Sequence, residues 1–546
     1  MSSKPTLRVV LEGGLSSHVA PELAALVESG LMTSLASQDA TLWGPEAEAE
    51  ASIRMGWISS PLRLEPLVAE VLELRESLAQ RGIRRVILCG MGGSSLAPEV
   101  MAAQAALSGL ETNLRIVDST HPDQLAPLLH GDLSGTVVVV ASKSGGTLET
   151  DSARRAFEAA LVDQGLEPRE QMVVVTDPDS PLHHQAVESG YRVFLGDPTI
   201  GGRFSALSPF GLVPSGLCGV DIHSLVIEAE KARVLCVDNS ITNPALVLGA
   251  AIATGHPQVN KLLLGSWADL PGFGDWIEQL VAESTGKNGV GLLPVVDSTL
   301  VESTLIESAL GDSTLVDSAL GDLSDCLSIG HAGSGSSIEI SGSLGPQIML
   351  WEFATAVACH LLGVNPFDQP NVESAKIAAK GLLEATELES RQEVLRDGVS
   401  VWSNYPAGES AATLEETLSS LLGELGEHSY LALCIFGNQT QGGPWSAVRD
   451  ALEARTHRPV TVGFGPRFLH STGQLHKGGA KEGVFLQVIE VPEASIAIPG
   501  RDFDFGTLIL AQAHGDAQVL AEHGQRVCSV SVDSTGRAKL LAALDR

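Results

Sequence analysis

The chain has 546 residues, with 34 Lys plus Arg against 66 Asp plus Glu, a formal net charge of −32 at pH 7. A chain this long holds about three or four domain equivalents, and 44% hydrophobic with only 18% charged residues excludes both a disordered chain and a small stapled scaffold. The negative field disfavours nucleic acid and anionic membrane surfaces as partners, so a phosphorylated ligand must find its cations at its own site.

The start, Met1-Ser2-Ser3-Lys4-Pro5, lacks the apolar core of a secretion signal, and no apolar run approaches the ~18 residues of a membrane span. Seven scattered cysteines, none spaced C-x-x-C, suggest neither a zinc site nor a disulfide framework. A soluble, cytoplasmic protein is expected. Residues 1–79 read as a helical N-terminal elaboration. Over 80–220, short apolar runs alternate with amphipathic stretches: Arg85–Cys89, Leu114–Val117, Thr136–Val140, Met172–Val175 and Tyr191–Leu195 are predicted strands. Such alternation marks parallel βαβ units. The pattern resumes with a strand at Lys261–Leu264 and a helix at Asp275–Glu283. Further strands are expected at Tyr430–Phe436, Pro459–Val462, Val484–Val491 and Val527–Val532. The expected architecture is α/β: two doubly wound lobes with mainly parallel sheets, the second spanning 221–546.

One segment of that second lobe stands apart. From Val296 to Leu320 the chain reads VDSTL, VESTL, IESAL, GDSTL, VDSAL, five tandem pentads. A period of five fits neither helix nor strand, and five pentads make barely one coil of a solenoid. With the Gly-Ser-rich stretch His331–Ser337, residues 296–342 read as an acidic, low-complexity surface insertion.

Two loops carry chemistry. Gly90-Met91-Gly92-Gly93-Ser94-Ser95 follows a predicted strand and precedes a helix, a place where glycines let the backbone approach a ligand and helix amides favour an anion. Alone, such a loop often only turns a corner. Ser142-Lys143-Ser144-Gly145-Gly146-Thr147 repeats the arrangement after Thr136–Val140, adding hydroxyls and a cation suited to a monophosphate. Neither a Walker motif nor a dinucleotide fingerprint is present.

These loops, with Glu149-Thr150, Gly201-Gly202-Arg203-Phe204-Ser205, Glu283-Ser284-Thr285-Gly286-Lys287, Asn365–Glu373 with Lys376, and Leu469–Gln474, form an ordered set. It resembles the phosphoglucose isomerase family, built of two sugar-isomerase (SIS) lobes, and looks most like the isomerase half of transaldolase/isomerase fusion proteins. The resemblance implies reversible isomerisation of D-glucose 6-phosphate and D-fructose 6-phosphate, a step of glycolysis and gluconeogenesis, through a cis-enediolate and without metal or cofactor. By family match Glu283 is the base that moves the proton between C1 and C2, Arg203 stabilises the enediolate, and His470 with Lys376 opens the sugar ring. Gly92, Gly93, Ser94, Ser142, Ser144 and Thr147 would receive the 6-phosphate, with Lys143 and Gln369 lining the same pocket. A homodimer is also implied. The chain departs from the family in placing His470 after Lys376, by 94 residues, and in having Asn371 where Gly is common. Two further readings stand beside the first: an SIS regulatory protein that binds a phosphosugar without turnover, and an isomerase that also accepts mannose 6-phosphate.

Overall fold

The computed structural model describes residues 6–301, 324–384 and 393–545. It begins with a short strand, β1 (Arg8–Leu11), and four α-helices, Leu15–Glu28, Leu31–Ala36, Glu48–Arg54 and Glu65–Gln80. The first sheet follows: β2 (Arg85–Gly90), β3 (Leu114–Val117), β4 (Thr136–Ala141), β5 (Met172–Thr176) and β6 (Arg192–Leu195), wholly parallel in the order β3-β2-β4-β5-β6. Every residue of β4 is buried, as an unbroken β-branched run requires when helices cover both faces of a sheet. The chain steps from β2 to β3 on one side and returns to β4 on the other. The crevice where strand order reverses therefore opens between the ends of β2 and β4, and the two candidate loops flank it.

The second sheet comprises β7 (Lys261–Leu264), β8 (Leu293–Val296), β9 (Cys326–His331) and β10 (Ile338–Ser341), with β1 pairing antiparallel along β10, in the order β1-β10-β9-β7-β8. The third contains β11 (Val394–Arg396), β12 (Val399–Ser403), β13 (Tyr430–Phe436), β14 (Val460–Phe464), β15 (Gly483–Glu490) and β16 (Arg526–Val532). Its order is β11-β12-β16-β15-β13-β14, parallel among the last four.

The α/β class and the mainly parallel pairing agree with the sequence reading, but the expected partition does not. Three sheets form where two lobes were expected: 221–546 carries two of them, and the helical N-terminal elaboration contributes a strand to the first of those two. An apolar strand records that it is buried, but not which sheet it joins. The second and third sheets nevertheless share one core, in which Leu263, Leu293 and Val295 pack with Tyr430, Cys434, Phe436 and Phe485. The helix Phe505–Glu522 is likewise fixed against the first sheet, its Phe505 and Leu508 sharing a core with Val138, Val140 and Val174.

The expected excursion over 296–342 is also corrected. Ile329, Ile338 and Ile340 in β9 and β10 are core residues. Only six residues join these two parallel neighbours, and a connection that short needs left-handed backbone, which Gly333 (φ 83°) and Gly335 (φ 79°) supply. Glu339 then accepts the amides of both glycines, at 2.8 and 2.7 Å. The Gly-Ser composition thus encodes a tight turn. Of the pentads, the first is anchored: Ser298 Oγ donates to Glu453 Oε1 at 2.8 Å and Thr299 Oγ1 to Glu453 Oε2 at 2.7 Å, and Leu300 is buried. Residues 302–323, which hold the rest of the repeat, lie outside the described residues.

Candidate active site

The loop after β2 is pressed so closely against its neighbours that glycine is required. A Cβ on Gly93 would lie 1.9 Å from the Gly202 carbonyl oxygen. Gly92 has φ +54°, and a Cβ there would come within 2.6 Å of Gln279 Nε2 and 3.0 Å of the His470 carbonyl oxygen. Ser94 is buried beside them. After β4, Ser142 Oγ donates to Thr147 Oγ1 at 3.1 Å, and Gly145 takes φ +68°. Thr147 stands at the N-cap of the helix Leu148–Asp163 without making a side-chain cap bond, so the loop's hydroxyls do not serve as a simple cap. The Ser144 hydroxyl accepts the Gly146 amide at 3.3 Å. Lys143 is held in the loop by its own partners: its ammonium pairs with Asp177 Oδ2 at 2.5 Å and donates to the Asp197 carbonyl at 3.1 Å, which braces the loop.

The residues expected to do acid/base work come together from separate elements. Glu283, near the end of the helix Phe273–Thr285, pairs through Oε1 with Arg203 Nη1 at 2.9 Å. Arg203 is buried and all of its N–H groups are engaged: Nε with Ser284 and Pro366, Nη1 also with Gln369 Oε1 at 3.0 Å, Nη2 with the Pro366 and Asp368 carbonyls. Lys287 grips the same loop, bonding the carbonyls of Asn365 and Asp368 and the Asp368 carboxylate at 2.6–2.7 Å. Burial and the like charge of Arg203 pull its pKa down to about 8 despite Asp368.

From Glu283 the connection runs on to the histidine. Gln279, one turn earlier on the same helix, donates to Glu283 Oε2 at 3.2 Å and to the His470 carbonyl at 2.8 Å. His470 Nε2 lies 3.2 Å from Glu149 Oε1, while its Nδ1 has no hydrogen-bond partner among the described residues. Burial opposes ionisation of Glu149. The charge and hydrogen bond of His470, with the charge of Lys376 beyond, outweigh burial and hold this carboxyl below its ordinary value. Lys376 stands exposed on the helix Pro370–Glu384. His476 is excluded as the working histidine: it is buried among Tyr430, Phe468 and Phe485, and burial drives it to about 3.

The family motifs at Arg203, Glu283, Gln369 and His470 thus meet in one place, although His470 follows Lys376 in the chain. Residues 75–266 match the family model described as phosphoglucose isomerase. A glucose-6-phosphate isomerase of Synechococcus elongatus is 28% identical over 351 residues, 55% of this chain and 66% of that protein. One of Methanocaldococcus jannaschii is 30% identical over 39% of this chain and 54% of its own length, and one of Mesoplasma florum 28% identical over 59% and 88%. This chain is thus similar to phosphoglucose isomerases over the part that holds the loops after β2 and β4 and Arg203. It spans just under two thirds of the length of the first of these relatives and about half of the second.

Within that family frame, the sequence reading passed over two contributors. Glu149 was legible as part of the Ser142–Thr150 motif, but its service to His470 depends on a contact 321 residues away. Gln279 sits at the i−4 position of Glu283, a spacing that puts both side chains on one helix face, and this periodicity could have found it.

Proposed function

We propose that this protein interconverts D-glucose 6-phosphate and D-fructose 6-phosphate by proton transfer between C1 and C2. The observation that carries the reading is the unbroken chain of contacts Arg203–Glu283–Gln279–His470–Glu149 beside the loops after β2 and β4. The phosphate is received by the hydroxyls and open amides of Ser94, Ser142, Ser144 and Thr147 and the helix start behind them. His470, steadied by Glu149, passes a proton between ring oxygen and hydroxyl to open the ring, and Lys376 stands beside it. Glu283 then removes the proton from one carbon and returns it to the other. Arg203 faces the charge of the enediolate, exchanging its bond to Gln369 or Glu283 for one to the developing oxyanion; because every N–H is already engaged, this exchange discriminates transition state from resting state.

Gln369 holds Arg203 until substrate arrives. The reaction as written needs no metal or cofactor, and a cytoplasmic setting suits a free phosphosugar. Among the described residues no helix is long and apolar enough to cross a membrane. Purified protein assayed with either sugar phosphate tests the reading: interconversion after chelator treatment supports it, and phosphosugar binding without turnover replaces it with the regulatory alternative. Comparison with mannose 6-phosphate decides the breadth of specificity.

A further inference from the structure

Two side chains that belong to none of the family motifs reach the acid/base residues from behind. Gln512, buried on the helix Phe505–Glu522, donates through Nε2 to Glu149 Oε1 at 2.7 Å, the oxygen that His470 Nε2 also approaches. Its own Oε1 accepts from Thr120 Oγ1 at 2.7 Å. The carboxylate fixes the amide: an ionised Glu149 only accepts, so the NH2 end must face it, and Oε1 is left to accept from the threonine hydroxyl, which holds it there. Arg467 opens the short turn Arg467–His470 and pairs with Asp118 Oδ2 at 3.1 Å and Glu99 Oε2 at 2.5 Å. Asp118 and Thr120 lie in one loop, directly after β3. That loop thus holds the arginine three residues ahead of the histidine and the glutamine that orients the carboxylate facing it.

We propose that Gln512 and Arg467 are positioning residues for sugar-ring opening, anchored on Thr120 and Asp118 of the β3 loop so that Glu149 and His470 stay in register with Glu283. The proposal rests on the isomerase reading above. A carboxylate oxygen shared by an amide and an imidazole has its direction set by the shorter bond, so loss of the amide leaves Glu149 free to rotate away from His470. The cost should fall on the ring-opening step and spare the enediolate chemistry, where Glu283 and Arg203 act.

The test compares fructose 6-phosphate with 5-deoxyfructose 6-phosphate, which lacks the hydroxyl that closes the furanose ring and so arrives open. Gln512→Met and Thr120→Val are expected to lose about 10- to 100-fold in kcat on fructose 6-phosphate with KM changed less than about threefold, and less than about threefold in kcat on the acyclic analogue. Thr120→Ser, which keeps the hydroxyl, should restore the rate. Arg467→Lys should show the same substrate dependence more weakly. Equal losses on both substrates, or none, overturn the proposal. If Gln512→Met does not fold, Thr120→Val alone decides, since it exchanges one hydroxyl for a methyl. If the wild type does not accept the analogue, the split between kcat and KM on fructose 6-phosphate decides instead, a rise in KM at unchanged kcat overturning the proposal. A wild type inactive on both glucose and fructose 6-phosphates fails the isomerase reading itself, and is distinguished by that from a failure confined to the variants.

Discussion

The two halves of the site are built on opposite principles. The half proposed to receive the phosphate comes from one sheet and two loops, at the adjacent ends of β2 and β4, and offers backbone amides, small hydroxyls and glycines. The half proposed to do acid/base work draws Arg203, Glu283, His470 and Glu149 from the first sheet's loops, a helix of the second sheet and a turn following β14 of the third. A phosphate can be held by whatever backbone surrounds a strand end, because amides are everywhere and their dipoles add. Proton transfer needs side chains at fixed separations, and no single loop can supply opposite faces of a substrate. The first half is therefore local and tolerant of where the rest of the chain runs. The second depends on how three sheets dock.

The sharpest way to break this contrast is at its chemical centre. Glu283→Gln should keep the fold and lower kcat by about 10³-fold or more, with KM changed only a few-fold, since the base acts in the transition state alone; a coupled assay for glucose 6-phosphate reads it directly. Arg203→Met should be costly in both rate and stability. It leaves Glu283 unpaired and releases the Pro366–Gln369 loop, so thermal unfolding should show a loss of about 3–5 kcal/mol.

A local lesion in the phosphate half should behave differently. Gly93→Ala sets a Cβ 1.9 Å from the Gly202 carbonyl oxygen, which must push the two loops apart. Raised KM for the sugar phosphates and about 1–3 kcal/mol of lost stability are expected, with the response of the remaining activity to Glu283→Gln unchanged.

The smallest effect sharpens the role of docking. The helix that carries Gln279 and Glu283 presents Asp275 and Glu278 to a cavity of about 210 Å³, lined also by Gln439, Arg449, Arg467 and Ser471. Burial raises Asp275 to about 6 against the opposing pull of Arg467. A carboxyl whose native pKa lies above its unfolded one stabilises fully below the unfolded value and loses that contribution as pH rises through the native value. The wild type should thus pay a penalty above pH 6 that Asp275→Asn relieves, at most about 3 kcal/mol. Melting curves at pH 4 and pH 8 would check it: the variant should gain at pH 8, and almost none of that advantage should remain at pH 4, near the unfolded value.

Much of this protein was already written in its sequence. The strands at 114–117, 261–264 and 430–436 coincide with the predicted ones residue for residue, because an apolar run between amphipathic stretches has few other fates. The glycines of the β2 loop and the order of family motifs marked where chemistry would be. The four residues of β1 carried too short a pattern to register, and the glycines of 333–335 read as looseness when their positive φ was the purpose. Lys143 illustrates the limit well: its charge was legible, but whether a lysine meets a ligand or an aspartate depends on Asp177, which a neighbouring strand delivers. In the same way the family resemblance pointed to His470, but only packing sets that ring against Glu149 while burying the neighbouring His476 among aromatic rings. Sequence determines the period, the turn and the local donor set, since these depend on neighbours in the chain. Which sheet a strand joins, which carboxylate a histidine meets and which side chains brace them are decided by tertiary docking, where the energy of a contact depends on residues hundreds of positions away.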